Sequence, residues 1–186
     1  MKNILKIVLL GVVGFSLLVY LTVPKEKTQN IQKVDMNLSN LPKFYEIIGK
    51  DIKKDELFEK GSYIVVLNHD TLAVFKELYK KSDKKIVLIA NISNTPWLIK
   101  NIAVDKELEN LYSQSTIALI NDSNGSFRRF FQVSDDAQNK YIVYKVLENT
   151  KIEKIYEGSV KKGALQDGIS QDEQTKNIEE FLLNLK

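Results

Sequence analysis

No cysteine occurs anywhere in the 186 residues. Thiol–disulfide exchange, thiol peroxidase chemistry and a lipoprotein anchor are therefore all excluded, since each needs a thiolate or a lipid-modified thiol. The same absence leaves the compartment open, because a chain without thiols has nothing to oxidise. Histidine is nearly as scarce, and His69 stands alone. One imidazole and no thiolate cannot furnish the usual zinc or transition-metal set, and no carboxylate spacing suggests an oxygen-ligand site, so no metal and no cofactor are expected. Arginine is limited to the pair Arg128 and Arg129 among 27 basic residues, set against 24 acidic ones for a net charge of +3. Lysines scattered along a chain without clustered guanidinium groups make a poor footprint for phosphates or bases, and nucleic acid is not an expected partner. Proline is confined to Pro24, Pro42 and Pro96, and tryptophan to Trp97.

What is present begins with an apolar N-terminus. After Lys2 and Lys6, residues Ile7 to Val23 carry no charge, and Pro24, Lys25, Glu26 and Lys27 close the run. The run is slightly under the ~20 apolar residues that cross a bilayer comfortably, but Ile4 and Leu5 precede it and Lys6 can snorkel, so a membrane span is expected. No small-x-small site follows, which favours an uncleaved signal anchor over residues 1–23 above a cleaved signal peptide. A short head before a long C-terminal domain favours export of that domain, while the flanking lysines carry almost no orientation signal.

Residues 24–40 are polar and lack periodicity, as a tether does, and residues 41–186 are long enough for one domain with a real core. Lys43 to Ile48 and Asp51 to Lys53 flank Gly49 and Lys50 and predict a short hairpin. Ser62 to Asn68 is a continuous β-branched apolar run, and Lys85 to Asn91 repeats it, the pattern of strands covered on both faces. Between them Asp70 is placed to cap a helix from Thr71 to about Lys81, so strand, helix and strand predict a right-handed parallel unit. Thr95 and Pro96 open a second helix, which breaks near Ala103 and restarts at Asp105 with Leu108, Leu111 and Tyr112 inward. Thr116 to Ile120 reads as a short strand and Asn121 to Gly125 as a turn without calcium-loop spacing. Tyr141 to Leu147 and Lys151 to Glu157 predict a second hairpin, and Ser170 with Glu173 a capping box for a last helix facing inward through Ile178, Phe181, Leu182 and Leu185.

This order of elements, α/β with a mixed central sheet, resembles the thioredoxin-like fold in its membrane-tethered, extracytoplasmic form, a three-layer sandwich. Leu41 to Gly61 is similar to the opening hairpin of those oxidoreductases, Ser62 to Asn68 to the strand that leads into their active site, and Thr116 to Val133 to their strand, turn and short helix, here with Asp122 to Gly125 as the turn. From Lys85 onward the chain also resembles, in outline, an uncharacterised family of periplasmic thioredoxin-like proteins of Gram-negative bacteria that lack the redox motif. The resemblance implies a single-pass inner-membrane protein with its C-terminal domain in the periplasm, or a soluble periplasmic domain after cleavage. The departures are specific. Where redox members carry Cys-x-x-Cys, this chain reads Asn68, His69, Asp70, Thr71, Leu72 and Ala73, and no proline stands before the second hairpin where those proteins place a groove-lining cis-proline.

The candidate site residues follow from that comparison and from scarcity. Asn68, His69, Asp70 and Thr71 occupy the edge where the redox site would lie; Asp70 is read first as a helix cap, and His69 with Asp70 as an acid–base pair that lacks a nucleophile. Trp97 reads either as a core plug or as an exposed binding aromatic. Phe127, Phe130 and Phe131 share an inward face, which leaves Arg128 and Arg129 as the basic patch for an acidic partner. Two functions remain in view. One is a non-catalytic module that binds another envelope protein; the other is a cysteine-independent enzyme or cofactor-handling protein using the Asn68 to Thr71 edge.

Overall fold

The computed structural model describes residues 2–22, 36–48, 56–94, 105–135 and 137–185. Its elements in chain order are α1 (Lys2–Thr22), β1 (Glu46–Ile48), β2 (Tyr63–Leu67), α2 (His69–Phe75), β3 (Ile86–Ala90), α3 (Asp105–Tyr112), β4 (Ala118–Asn121), α4 (Ser126–Phe130), β5 (Lys140–Val146), β6 (Ile152–Ser159) and α5 (Gln171–Leu183). The strands form one mixed sheet in the order β1-β4-β3-β2-β5-β6. The two apolar runs are neighbours, with β2 parallel to β3 and Tyr63 opposite Ile86, as expected from their lack of polar interruption. Strand β4 extends the parallel set beyond β3, and β5 lies antiparallel against β2.

Alternate residues of these strands enter two separate cores, because successive side chains in a strand point to opposite faces. Val65, Leu67, Leu88 and Val143 join Leu72, Phe75, Leu108, Tyr112, Ile178 and Phe181 beneath α2, α3 and α5. Ile64, Val66, Val87, Ile89 and Tyr144 join Phe127, Phe130 and Phe131 of the α4 region on the other face. A bulge in β6 opposite Val143 and Tyr144 reverses the alternation within that strand. Ile152 accordingly packs in the second core and Tyr156 against the first, the side-chain switch that one extra residue produces. Gly158 faces Tyr141 across the pair, and a Cβ there would collide with the Tyr141 ring, so the aromatic can lie flat across the edge strand only over glycine.

Several local expectations change. The first hairpin does not account for β1, which pairs antiparallel with β4, with Glu46 opposite Asn121; the second arm at Asp51 to Lys53 lies outside the described residues, as do the Thr95–Pro96 helix start and Trp97. The fold also takes up residues ahead of Leu41: Met36 and Leu38 pack on the second core, and Asn37 bridges to Lys151. Helix α2 ends at Phe75 instead of Lys81, and Leu78–Lys80 is a separate 3-10 turn. Its last carbonyls are taken by distant side chains. Tyr112 donates its hydroxyl to Leu72 O at 2.9 Å, and the buried Gln174 amide donates to Ala73 O and Val74 O at 3.1 and 2.9 Å. These are the groups a helix end leaves without intrahelical partners, so the short helix closes on α3 and α5.

Helix α1 stands apart from this packing. Its side chains from Lys6 to Leu18 are all exposed, with Leu10 at 79% and Phe15 at 58%. Against the expectation of a span, no helix among the described residues is long and apolar enough to cross a membrane.

Burial raises the phenol pKa of Tyr112, Tyr141 and Tyr144 well above the usual value. A raised pKa means the neutral form is favoured by folding. The stability it carries is intact below the ordinary phenol range near 10 and is lost as pH rises toward the folded values. In an alkaline titration the ultraviolet absorbance of these three phenolates should therefore appear together with loss of far-ultraviolet circular dichroism. Early, non-cooperative ionisation of every tyrosine would contradict the packing.

Candidate functional site

The carboxyl ends of β2, β3 and β4 meet at one edge of the sheet, the usual place for ligands in open parallel sheets. Leu67 pairs with Ala90 and Ala90 with Asn121, so the next residues, Asn68, Asn91 and Asp122, stand in a row across three strand ends. Backbone bonds continue the row past the strands: Asn91 N donates to Leu67 O at 2.9 Å and Asp122 N to Ala90 O at 3.2 Å. The side chains then lock it. Asn91 donates its amide to Asn68 Oδ1 at 2.8 Å, and Asn68 Nδ2 donates to Ala137 O at 2.8 Å and Asp135 O at 3.3 Å, in the loop before β5. Lys140, at the start of β5, pins that loop from outside through Asp135 at 2.6 Å and reaches Glu157 of β6 at 3.3 Å.

Asp122 closes the other end of the row. Oδ1 accepts from Phe127 N at 3.0 Å and Ser126 Oγ at 3.3 Å, and Oδ2 accepts from Arg128 N at 2.8 Å, so the carboxylate caps α4. Burial pushes its pKa up, against the pull of the Arg128 and Phe127 N–H groups. Gly125 just before α4 has φ 69°, and a Cβ there would press on the Ser93 side chain, so the turn after β4 sits tight against the residues that follow β3.

The four residues singled out at the start of α2 are brought to this edge, but three are consumed in holding it. The Thr71 hydroxyl is buried and donates to Asn68 O at 2.5 Å. Asp70 is not the helix cap. The N-cap position falls on Asn68, whose side chain makes no cap bond, and Asp70 lies inside the first turn, 1% exposed. Its carboxylate is turned toward the segment between β6 and α5, where Oδ2 accepts from Gly163 N at 2.8 Å and Oδ1 from Leu165 N at 3.4 Å. Its own N–H donates to Gln138 O at 2.8 Å, which uses one of the amides a helix N-terminus would offer to an anion. His69 is the exception. Its side chain is 40% exposed, and its Nδ1 is buried without a hydrogen bond among the described residues, 3.8 Å from Asp70 Oδ1. That separation is an ion contact if the ring is protonated and is too long for an acid–base dyad, which needs about 2.6–3.2 Å.

Arg128 belongs to the same edge, through its contacts on the β3 side: Nη1 donates to Asn94 Oδ1 at 2.6 Å and Nε to Val133 O at 3.2 Å. Arg129 is exposed and donates to Asn124 O at 3.0 Å, in the turn before α4. Sequence reasoning missed Asn91, Asn94 and Gln174; only the position of Asn91 directly after a buried run signalled any of them. Among the described residues no cluster of three or more histidine, cysteine or acidic residues is arranged to hold a metal.

No protein-family model matches the chain, and no curated protein does. Among solved structures it is similar to the mitochondrial 2-cys peroxiredoxin from Plasmodium falciparum. The two share 13% identity over 80% of this chain and 94% of that one, with a TM-score of 0.38.

Proposed function

We propose that the chain is a non-catalytic module of thioredoxin-like build, a three-layer sandwich around a mixed sheet, attached to the bacterial cell envelope and serving as a binding or accessory partner of another envelope protein. The observation that carries this reading is the employment of Asp70. At the helix start where a redox member would present its thiolate, a buried carboxylate holds Gly163 and Leu165 instead. Asn68 and Thr71 are likewise tied into backbone contacts. An edge at which Asn68, Asp70 and Thr71 are already satisfied is suited to shaping a surface and poorly suited to moving protons through those groups.

Attachment is assigned to α1. The uncharged run Ile7 to Val23 and the outward apolar side chains of the helix favour export and attachment at the inner membrane, with the domain in the periplasm; such surface is costly to leave in water. Cleavage after the helix would give a soluble periplasmic domain. Protease accessibility in spheroplasts and alkaline extraction of membranes test this, and a domain shielded from protease outside the inner membrane would overturn it.

His69 supports a second reading, a cysteine-independent enzyme or cofactor-handling protein, because its Nδ1 has no hydrogen-bond partner among the described residues while the ring is 40% exposed at this edge. The variant His69→Ala separates the two. The binding-module reading expects stability within about 0.5 kcal/mol of wild type, as for most surface replacements. It also expects unchanged rebinding of the purified domain to whatever partner is crosslinked to it in intact envelopes. A folded His69→Ala chain that loses its cellular role while keeping its partner would establish the second reading.

A further inference from the structure

Four asparagines stand in Asn-x-Ser triplets with no proline between: Asn37, Asn91, Asn121 and Asn124. On an exported chain such a triplet is an acceptor for an N-linked glycan if it lies open on the surface. The fold separates the four. Asn121 is 6% exposed and donates its amide to Glu46. Asn91 gives its amide to Asn68 within the row of strand ends. Asn37 is partly buried, its Oδ1 engaged by Ser39 N and by Thr150 Oγ, and it forms the bridge to Lys151.

Asn124 alone of the four is exposed. It is exposed in the turn between β4 and α4, and its Oδ1 accepts the Ser126 N–H at 2.9 Å. That bond engages the oxygen of the side chain and leaves the amide nitrogen without a hydrogen bond among the described residues. Ser126, the third residue of the triplet, is itself partly exposed, and its hydroxyl has only the 3.3 Å bond to Asp122, whose carboxylate keeps two backbone donors without it.

We propose that Asn124 is the acceptor of an N-linked oligosaccharide, a reading that rests on export of the domain. In the reaction the Asn124 Nδ2 bonds to the anomeric carbon of an oligosaccharide carried on a polyprenyl diphosphate. The bond from that carbon to the diphosphate oxygen breaks, polyprenyl diphosphate leaves, and the amide gives one proton to a base of the transferase. Nothing is oxidised or reduced.

The test is the intact mass of the full chain made in a cell that has an oligosaccharyltransferase on its export route, in two arms: one with the chain's own N-terminus and one with a cleavable export signal placed ahead of it. The expected result is a mass higher by one oligosaccharide. The increment should be lost in Asn124→Gln and Ser126→Ala and kept in Ser126→Thr, Asn37→Gln and Asn91→Gln. Equal melting temperatures of Asn124→Gln and enzymatically deglycosylated wild type separate loss of the acceptor from loss of the fold. Sugar only in the arm with the added signal supports the acceptor and overturns the location proposed above. Bare Asn124 in both arms, or sugar on another of the four, overturns the acceptor while leaving the location standing if the domain is found outside the inner membrane.

Discussion

Replacing Asp70 by alanine is expected to lower the free energy of unfolding by about 3 kcal/mol, read from urea or guanidinium titrations. Bonds to a charged acceptor contribute roughly 1.5–3 kcal/mol, and each buried donor left unpaired adds its own desolvation cost. The carboxylate is 1% exposed and receives Gly163 N and Leu165 N, so its removal orphans two backbone amides in the segment between β6 and α5. A helix cap in the same sequence position would cost only about 1 kcal/mol. The size of the loss therefore distinguishes the two roles. Asp70→Asn, which retains one acceptor oxygen but sets an amide N–H against the other donor, should fall between the alanine variant and wild type. Hydrogen exchange at Gly163 and Leu165 should quicken in both variants. A loss near 1 kcal/mol with those two amides still protected would return Asp70 to the simpler capping role.

Phe181→Ala is expected to cost about 4 kcal/mol, in the range measured for aromatic truncations in cores. Phe181 is 0% exposed, and its ring lies 4.8 Å from that of Phe75 and 5.9 Å from that of Tyr141, both edge to face. Phe75 and Tyr141 also meet, at 5.0 Å, so the three rings join α5, α2 and β5 in one contact. Truncation opens a cavity at the point where the C-terminal helix is fastened to the sheet. Phe181→Leu, which refills most of the volume, should cost less than half as much. If Phe181→Ala unfolds with a loss under about 1 kcal/mol, α5 is not part of the cooperative core.

The strands were legible because burial on both faces leaves a mark in the chain itself. A run such as Tyr63 to Leu67 has no polar position because both of its sides meet a core, and the same holds for Ile86 to Ala90. The β5–β6 hairpin and the last helix were legible for local reasons. The turn lies at Asn149 and Thr150 as read, and Ser170 Oγ accepts from Glu173 N at 3.3 Å, the N-cap half of the box read from the two residues. The inward aromatics Phe127, Phe130 and Phe131 followed from helical spacing.

The site was legible only as an address. Helical propensity carried the expected helix past Phe75, but Tyr112 and Gln174 take its last carbonyls from 40 and about 100 positions away, and nothing near residue 75 announces them. β1 pairs with β4, a long-range contact that only assembly of the sheet makes. Asp70 shows the division most clearly. A short carboxylate at the start of a helix accepts a local N–H or a distant one with similar ease, so sequence determines that it will accept and leaves the donor open. The donor became Gly163, 93 residues later, because packing of α5 on α2 brings the β6–α5 segment over the helix start and excludes water there. What the amino-acid order settled by itself is therefore the absence of thiol chemistry, the two buried parallel strands, the terminal hairpin and helix, and the apolar N-terminus. The tertiary structure decided which polar side chains at the sheet edge are spent on holding loops and which, His69 and Asn124, remain accessible, because hydrogen-bond partners and solvent exposure are properties of the packed chain and not of any one segment.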